Sequence, residues 1–179
     1  MTVFFYILAG VFLLILILAF LAPKTYNVSR SIEIRKPKDK VFEYLRFLKN
    51  QEAWSPWEKK DPNMVKQFRG TDGEVGAISS WQGNKEVGEG EQELTNIIPA
   101  ERVESELRFF KPWKSTSSAY LVVEETTDNG SRVSWGFSGR NKFPMSIMML
   151  FMNMDKMVGK DFEEGLAALK AKLEGEGKD

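Results

Sequence analysis

The stretch Ser118–Gly139, SAYLVVEETTDNGSRVSWGFSG, decides the fold. Two runs rich in β-branched and aromatic residues, Ser118–Thr126 and Arg132–Gly139, flank Asn129-Gly130. That dipeptide readily supplies the positive φ angles of a tight hairpin turn. On the second run Val133, Trp135 and Phe137 face one way and Ser134, Gly136 and Ser138 the other. This is the period-2 pattern of a strand with one buried face. A lone hairpin with an apolar face is not stable in water, so other elements must cover it.

Working upstream, the same pattern recurs. Arg102–Phe110 sets Val103, Leu107 and Phe109 against Glu104, Glu106 and Arg108. Ala77–Gln82 and Glu86–Ile98 flank the hairpin signal Gly83-Asn84, and Met64–Phe68 is a short strand before the turn Asp72-Gly73. Gly88-Glu89-Gly90 lies inside a strand and opens no helix, so it predicts a bulge or sharp curvature rather than a phosphate loop. The first strand, Tyr26–Ile34, places Tyr26, Val28, Ile32 and Ile34 on one face together with Arg30. Between it and the others, Lys36-Pro37-Lys38-Asp39 opens a short helix with Val41, Phe42, Leu45 and Leu48 at helical spacing. Trp54-Ser55-Pro56-Trp57 breaks that helix and Asp61-Pro62 marks a turn. Downstream, Phe143–Leu173 reads as one long helix broken at most near Pro144, with a stripe of Phe151, Met154, Val158, Phe162, Leu166, Leu169 and Leu173. The expected class is α+β: a curved antiparallel sheet of about seven strands wrapped around a long C-terminal helix.

At the other end of the chain, Val3–Ala22 is 20 residues without a charge, about 30 Å as a helix, which matches the hydrocarbon core of a bilayer. No basic segment precedes it, and Ala22-Pro23 with Phe20 is a poor cleavage site, so a retained transmembrane helix is expected rather than a signal peptide. Lys24, Arg30, Arg35, Lys36 and Lys38 follow the span, which predicts a single-pass membrane protein with a cytoplasmic body. The expected organisation is an anchor and short linker over 1–25, a domain over 26–173 and a disordered tail over 174–179. Pro23, Lys24 and Thr25 reach only about 10 Å, so the body must sit against the headgroups.

Composition excludes several chemistries. The chain has neither cysteine nor histidine, which removes disulfides, thiolate metal sites, cysteine nucleophiles and Ser-His-Asp triads. Its 25 basic and 25 acidic residues cancel, whereas a nucleic-acid partner would call for a basic surplus. No cofactor or metal site is read from the sequence.

The first strand running into Val41-Phe42, the Trp54-Ser55-Pro56-Trp57 stretch with Asp61-Pro62, and Met154-Asp155-Lys156-Met157 followed by Asp161–Leu166 and Leu169-Lys170 resemble the helix-grip superfamily. Its members include START domains, Bet v 1-like proteins and the polyketide cyclase/dehydrase group, and the resemblance covers about Tyr26–Leu173. It implies a hydrophobic cavity between the sheet and the long helix. It does not choose among carriers, enzymes and interaction modules on the same fold.

The candidate cavity residues are Val133, Trp135, Phe137, Leu107 and Phe109 from the sheet and Met148, Met149 and Met152 from the helix. Six of the eight methionines fall between Met145 and Met157. Flexible thioethers suit ordinary core filling, the wall of a site for varied apolar ligands, or, remotely, a copper(I) site. Arg30 reads either as a snorkelling arginine near a strand end or as a cavity-facing anion anchor, with a carboxylate from the glutamate-rich strands as its potential partner. Phe110, Lys111, Trp113 and Lys114 mix aromatic and basic character in one loop, as at a bilayer interface. The expected function is a membrane-tethered module that holds a lipid, isoprenoid or quinone-class molecule, with the helix start and the Trp113 loop forming a mouth near the bilayer. The alternatives are a cyclase- or dehydrase-type enzyme on a hydrophobic substrate and a protein-interaction module.

Overall fold

The computed structural model describes residues 2–141 and 143–175, with the side chain of Met145 outside that description. Of the tail expected over 174–179, Glu174 and Gly175 belong to the last helix, and the rest lies outside the described residues. Helix α1 (Thr2–Leu21) is apolar throughout, and none of its residues is buried in the body. It is long and apolar enough to cross a membrane.

Strands β1 (Thr25–Ile34), β2 (Val65–Arg69), β3 (Ile78–Gln82), β4 (Glu89–Ile98), β5 (Arg102–Lys111), β6 (Ser115–Glu125) and β7 (Ser131–Arg140) form one antiparallel sheet in the order β1-β7-β6-β5-β4-β3-β2. The Asn129-Gly130 signal is realised: Asn129 takes φ 57°, and the Thr126 amide closes the turn on the Gly130 carbonyl at 3.1 Å. Gly83-Asn84 opens a longer connection over 83–88, because Asn84 Oδ1 accepts from the Glu86 and Val87 amides and folds the chain into a loop before β4. Register shifts fall at Glu89/Gly90 and Leu94/Asn96. Gly90 has no room for a Cβ, which would meet the Trp81 ring at 2.7 Å, so the glycine is what lets the curved sheet close there.

The long helix is shorter than its sequence pattern suggests. A single turn, α4 (Met145–Met148), is followed by an irregular stretch, and the helix proper is α5 (Met154–Gly175). Asn153 explains the restart. Its Oδ1 accepts from the Lys156 amide at 3.0 Å and caps the new N-terminus.

One half of the molecule is filled. Helix α2 (Lys38–Leu45) buries Val41, Phe42 and Leu45, and α5 buries Phe162, Leu166, Leu169 and Leu173 against Val28, Ile34, Val123 and Val133. A 3₁₀ turn (Leu48–Ala53) and α3 (Pro56–Lys60) cross the side of α5, with Asp61 accepting from the Asn84 amide at 2.6 Å. The other half, around the start of β1, the end of β7 and the first turns of α5, has no comparable helical cover.

Candidate functional site

That half encloses a cavity of about 1630 Å³ between the sheet and α5. Strands deliver its wall by alternation. Leu107 and Phe109 come from β5, Leu121 from β6, Trp135 and Phe137 from β7, while α5 adds Met154, Met157, Val158 and Phe162. The aromatic rings interlock. Trp135 stacks on Phe162 with centroids 4.1 Å apart, Trp54 and Trp57 meet Trp135 edge-on at 5.0 and 5.6 Å, and Phe109 bridges Trp81 and Phe137 at 5.8 and 6.4 Å. Such pairs hold their geometry, so this wall is firm where the methionine wall is pliable.

A few polar groups interrupt the apolar lining. Tyr26 Oη and Ser117 Oγ are 2.7 Å apart, and burial pushes the Tyr26 phenol above its ordinary value, so it faces the cavity neutral. Gln92 Nε2 donates to Ser105 Oγ at 3.1 Å. On the α3 side the Lys66 ammonium is paired with Glu58 and lies 3.6 Å from Glu52. Burial lowers its pKa, and Glu52 opposes that. Among the described residues no group of acidic side chains is arranged to hold a metal. An apolar chamber with a few convergent polar groups is the usual form of a small-molecule site.

Of the residues expected in the cavity, Leu107, Phe109, Trp135, Phe137 and Met149 lie on its wall, and Phe110, Lys111, Trp113 and Lys114 lie at its rim with Phe110 and Trp113 exposed. Four sit elsewhere. Val133 is fully buried in the filled half, because it lies two residues further from the rim than Trp135 on the same face of β7. Met148 is on α4 and half exposed. Met152 lines a separate cavity of about 380 Å³ beside Pro23, because the helix break turns this stretch toward α1. Arg30 is taken up by α5: its Nε donates to Glu163 at 2.7 Å and its Nη1 to Asp155 at 2.9 Å. The helix, not the glutamates of β4 and β5, supplies its carboxylates. Those glutamates face outward, where Glu91, Glu93 and Glu106 hold Arg108 at 2.6–2.8 Å.

The sequence reading missed the polar lining. Ser105 and Ser117 are buried serines on the apolar phase of β5 and β6, which is a legible signal, because a buried hydroxyl needs a partner. Lys66 had no such signal, because its neighbour Val65 is the exposed one and the edge strand inverts the usual pattern.

Comparisons with known proteins agree with this architecture. A solved protein from Nitrosospira multiformis matches with a TM-score of 0.60 at 19% identity, covering 82% of this chain and 95% of its own. The Aha1 dimer from Colwellia psychrerythraea matches with 0.57 at 18% identity, over 83% of this chain and 96% of that one. The di-domain ARO/CYC StfQ of the steffimycin biosynthetic pathway matches with 0.62 at 8% identity, over 87% of this chain and 53% of StfQ. At these identities the likeness concerns the fold. No curated protein matches the chain. The model of the family described as polyketide cyclase / dehydrase and lipid transport matches residues 25–174, and the chain, with its helix-grip body, belongs to that family.

Proposed function

We propose that this protein is a membrane-tethered binding module that holds a lipid or other hydrophobic small molecule in the large cavity. The observation that carries the reading is the cavity itself: about 1630 Å³ walled by interlocked aromatic rings and by methionines, in a molecule whose other half is closely packed. Interiors normally fill such space, so a chamber of this size is built to receive something. Leu107, Phe109, Trp135, Phe137 and Met149 form the apolar wall, and the neutral phenol of Tyr26 with Ser117 gives a ligand one polar contact. Helix α1 serves as the anchor. The basic residues after it, from Lys24 to Lys38, keep the body on the cytoplasmic side, which a C-terminal reporter would read.

The test is to purify the full chain in mild detergent and weigh it by native mass spectrometry, with the bound material extracted and identified. A co-purifying apolar molecule is expected in the native chain, and its load is expected to fall in the double variant Leu107→Trp, Leu121→Trp, which sets two indoles into the apolar wall and narrows the cavity. The thermal melting of the variant checks that it folds. A native chain that carries nothing and takes up no added lipid would overturn the reading, as would equal loading of the narrowed variant.

A further inference from the structure

The smaller cavity lies at the foot of α1. It is bounded by Pro23, by the irregular stretch 149–153 and by Met154 at the start of α5, and it shares Thr25, Tyr26, Asn141, Met149 and Met154 with the large cavity. The two spaces therefore adjoin along the start of β1. The end of α1 is fixed beside them. Asn141 donates from its side chain to the Pro23 carbonyl at 3.1 Å and from its backbone to the Lys24 carbonyl at 2.9 Å, Ala22 is buried, and α1 packs against α4.

The surface around this point is apolar. Outside α1, most of the large apolar side chains exposed by the described residues lie at this end, among them Phe110, Trp113, Phe143, Met148, Leu150 and Phe151. Phe151 is 79% exposed and Trp113 62%. Exposed apolar groups crowded in one region mark a contact surface. Lys24, Lys111, Lys114 and Arg140 are exposed at the same end, a charge that suits anionic headgroups. Because the anchor leaves the body here, what covers this surface is the bilayer that holds α1.

We propose that the small cavity is a lateral portal through which an acyl or prenyl chain passes between the bilayer and the large cavity, with Phe143–Phe151 and the Trp113 loop seated in the interface. This rests on the reading of α1 as an anchor and of the large cavity as a ligand site. Met149 and Met154 stand where the two spaces meet, and flexible thioethers there let a chain pass without a large rearrangement. A ligand that enters this way never exposes its hydrocarbon chain to water, which disfavours apolar surface.

The absence of cysteine makes the test clean. Full chains with Phe151→Cys or Val75→Cys carry one environment-sensitive nitrobenzoxadiazole label and are reconstituted into phosphatidylcholine–phosphatidylglycerol vesicles. The label at 151 is expected to be quenched by lipids bearing a nitroxide on the acyl chain, and the label at 75, in a turn at the opposite end, is expected to stay unquenched. In a second arm, pyrene-labelled phosphatidylcholine is supplied in the bilayer and its uptake is followed as loss of excimer emission. Met152→Trp, which narrows the portal, is expected to slow uptake by about tenfold, with its melting temperature measured to confirm folding. Uptake at the native rate by Met152→Trp, or equal quenching at 151 and 75, would overturn the portal. Failure of the chain to float with the vesicles would overturn the anchor and the portal together. A membrane-seated label at 151 in a native chain that takes up no lipid would leave the anchor standing and overturn the ligand reading, and with it the portal.

Discussion

Gly165 and Gly159 show how single residues set the distance between α5 and the sheet. A Cβ at Gly165 would lie 2.8 Å from Trp135 and 3.0 Å from Pro56. Trp135 cannot retreat, because it is stacked on Phe162 and met edge-on by two further indoles. Alanine gains about 1 kcal/mol over glycine in a helix interior, whereas overpacking costs about 1–3 kcal/mol. Gly165→Ala is therefore expected to lower the urea midpoint, while Gly175→Ala, with nothing within 4 Å of its Cβ, should not. At Gly159 a Cβ would meet the Arg30 guanidinium, and the absence of a side chain is what lets Arg30 reach Asp155 and Glu163. Arg30 in turn holds the Asp155 carboxyl below the usual carboxylate range, first by its hydrogen bond and then by its charge. A carboxylate whose folded pKa is depressed contributes stability that is present above its unfolded value of about 3.9 and is lost as pH falls through the folded value. Asp155→Asn should thus lower the melting temperature at neutral pH, and the gap to the native chain should close as pH drops below about 4. Arg30 was visible in the sequence as a charge on an apolar face. Its partners were not, because they come from a helix more than a hundred residues later and nothing local in β1 selects them.

At the scale of elements, periodicity carries over well where an element has two distinct faces and poorly where it has one. The seven strands and their succession along the chain follow from alternation and turn residues, with ends displaced by up to three positions, whereas the pairing of β1 with β7 does not. The methionine-rich stretch misled for a physical reason. Phe143–Met152 is apolar on nearly every side, so a helical stripe can be drawn through it whether or not it is helical. The chain breaks there because Asn153 offers its side chain to the backbone as a cap, and Asp155 adds a favourable charge in the first turn of α5. An asparagine two residues before an aspartate, at the point where charged residues begin to alternate with apolar ones, was the signal available. Asn153→Ala is expected to cost about 0.5–2 kcal/mol, measured by urea unfolding, and to leave the amide exchange of the last turns of α5 unchanged. A loss of protection spread over the whole helix would show that the cap does more than start it.

The cavity belongs to the whole molecule, and no segment of sequence contains it. It exists because α2 and α5 fill the sheet at one end while the other end is closed only by loops, by α4 and by the foot of α1. The sequence located much of its wall, since inward-facing residues on β5 and β7 follow from alternation. It did not locate the boundary between filled core and open space, which is why Val133 falls on the wrong side of it. The coupling between α1 and the body is a property of the same scale. Three residues separate α1 from β1, and Asn141 holds two of them through their carbonyls. With α1 as the anchor proposed above, the exposed apolar end is thereby held toward the membrane surface instead of being free to turn away. Inserting about ten residues of glycine and serine after Pro23 lengthens the tether by an r.m.s. distance on the order of 17 Å and lets the body rotate. The variant should still float with vesicles, because α1 is unchanged, and should still melt at the native temperature, because the core is unchanged. Its uptake of pyrene-labelled lipid from the bilayer should fall severalfold, since the portal then meets the membrane only part of the time. A native uptake rate in the lengthened chain would mean that the exposed apolar end finds the bilayer unaided, and that the short tether sets location but not orientation.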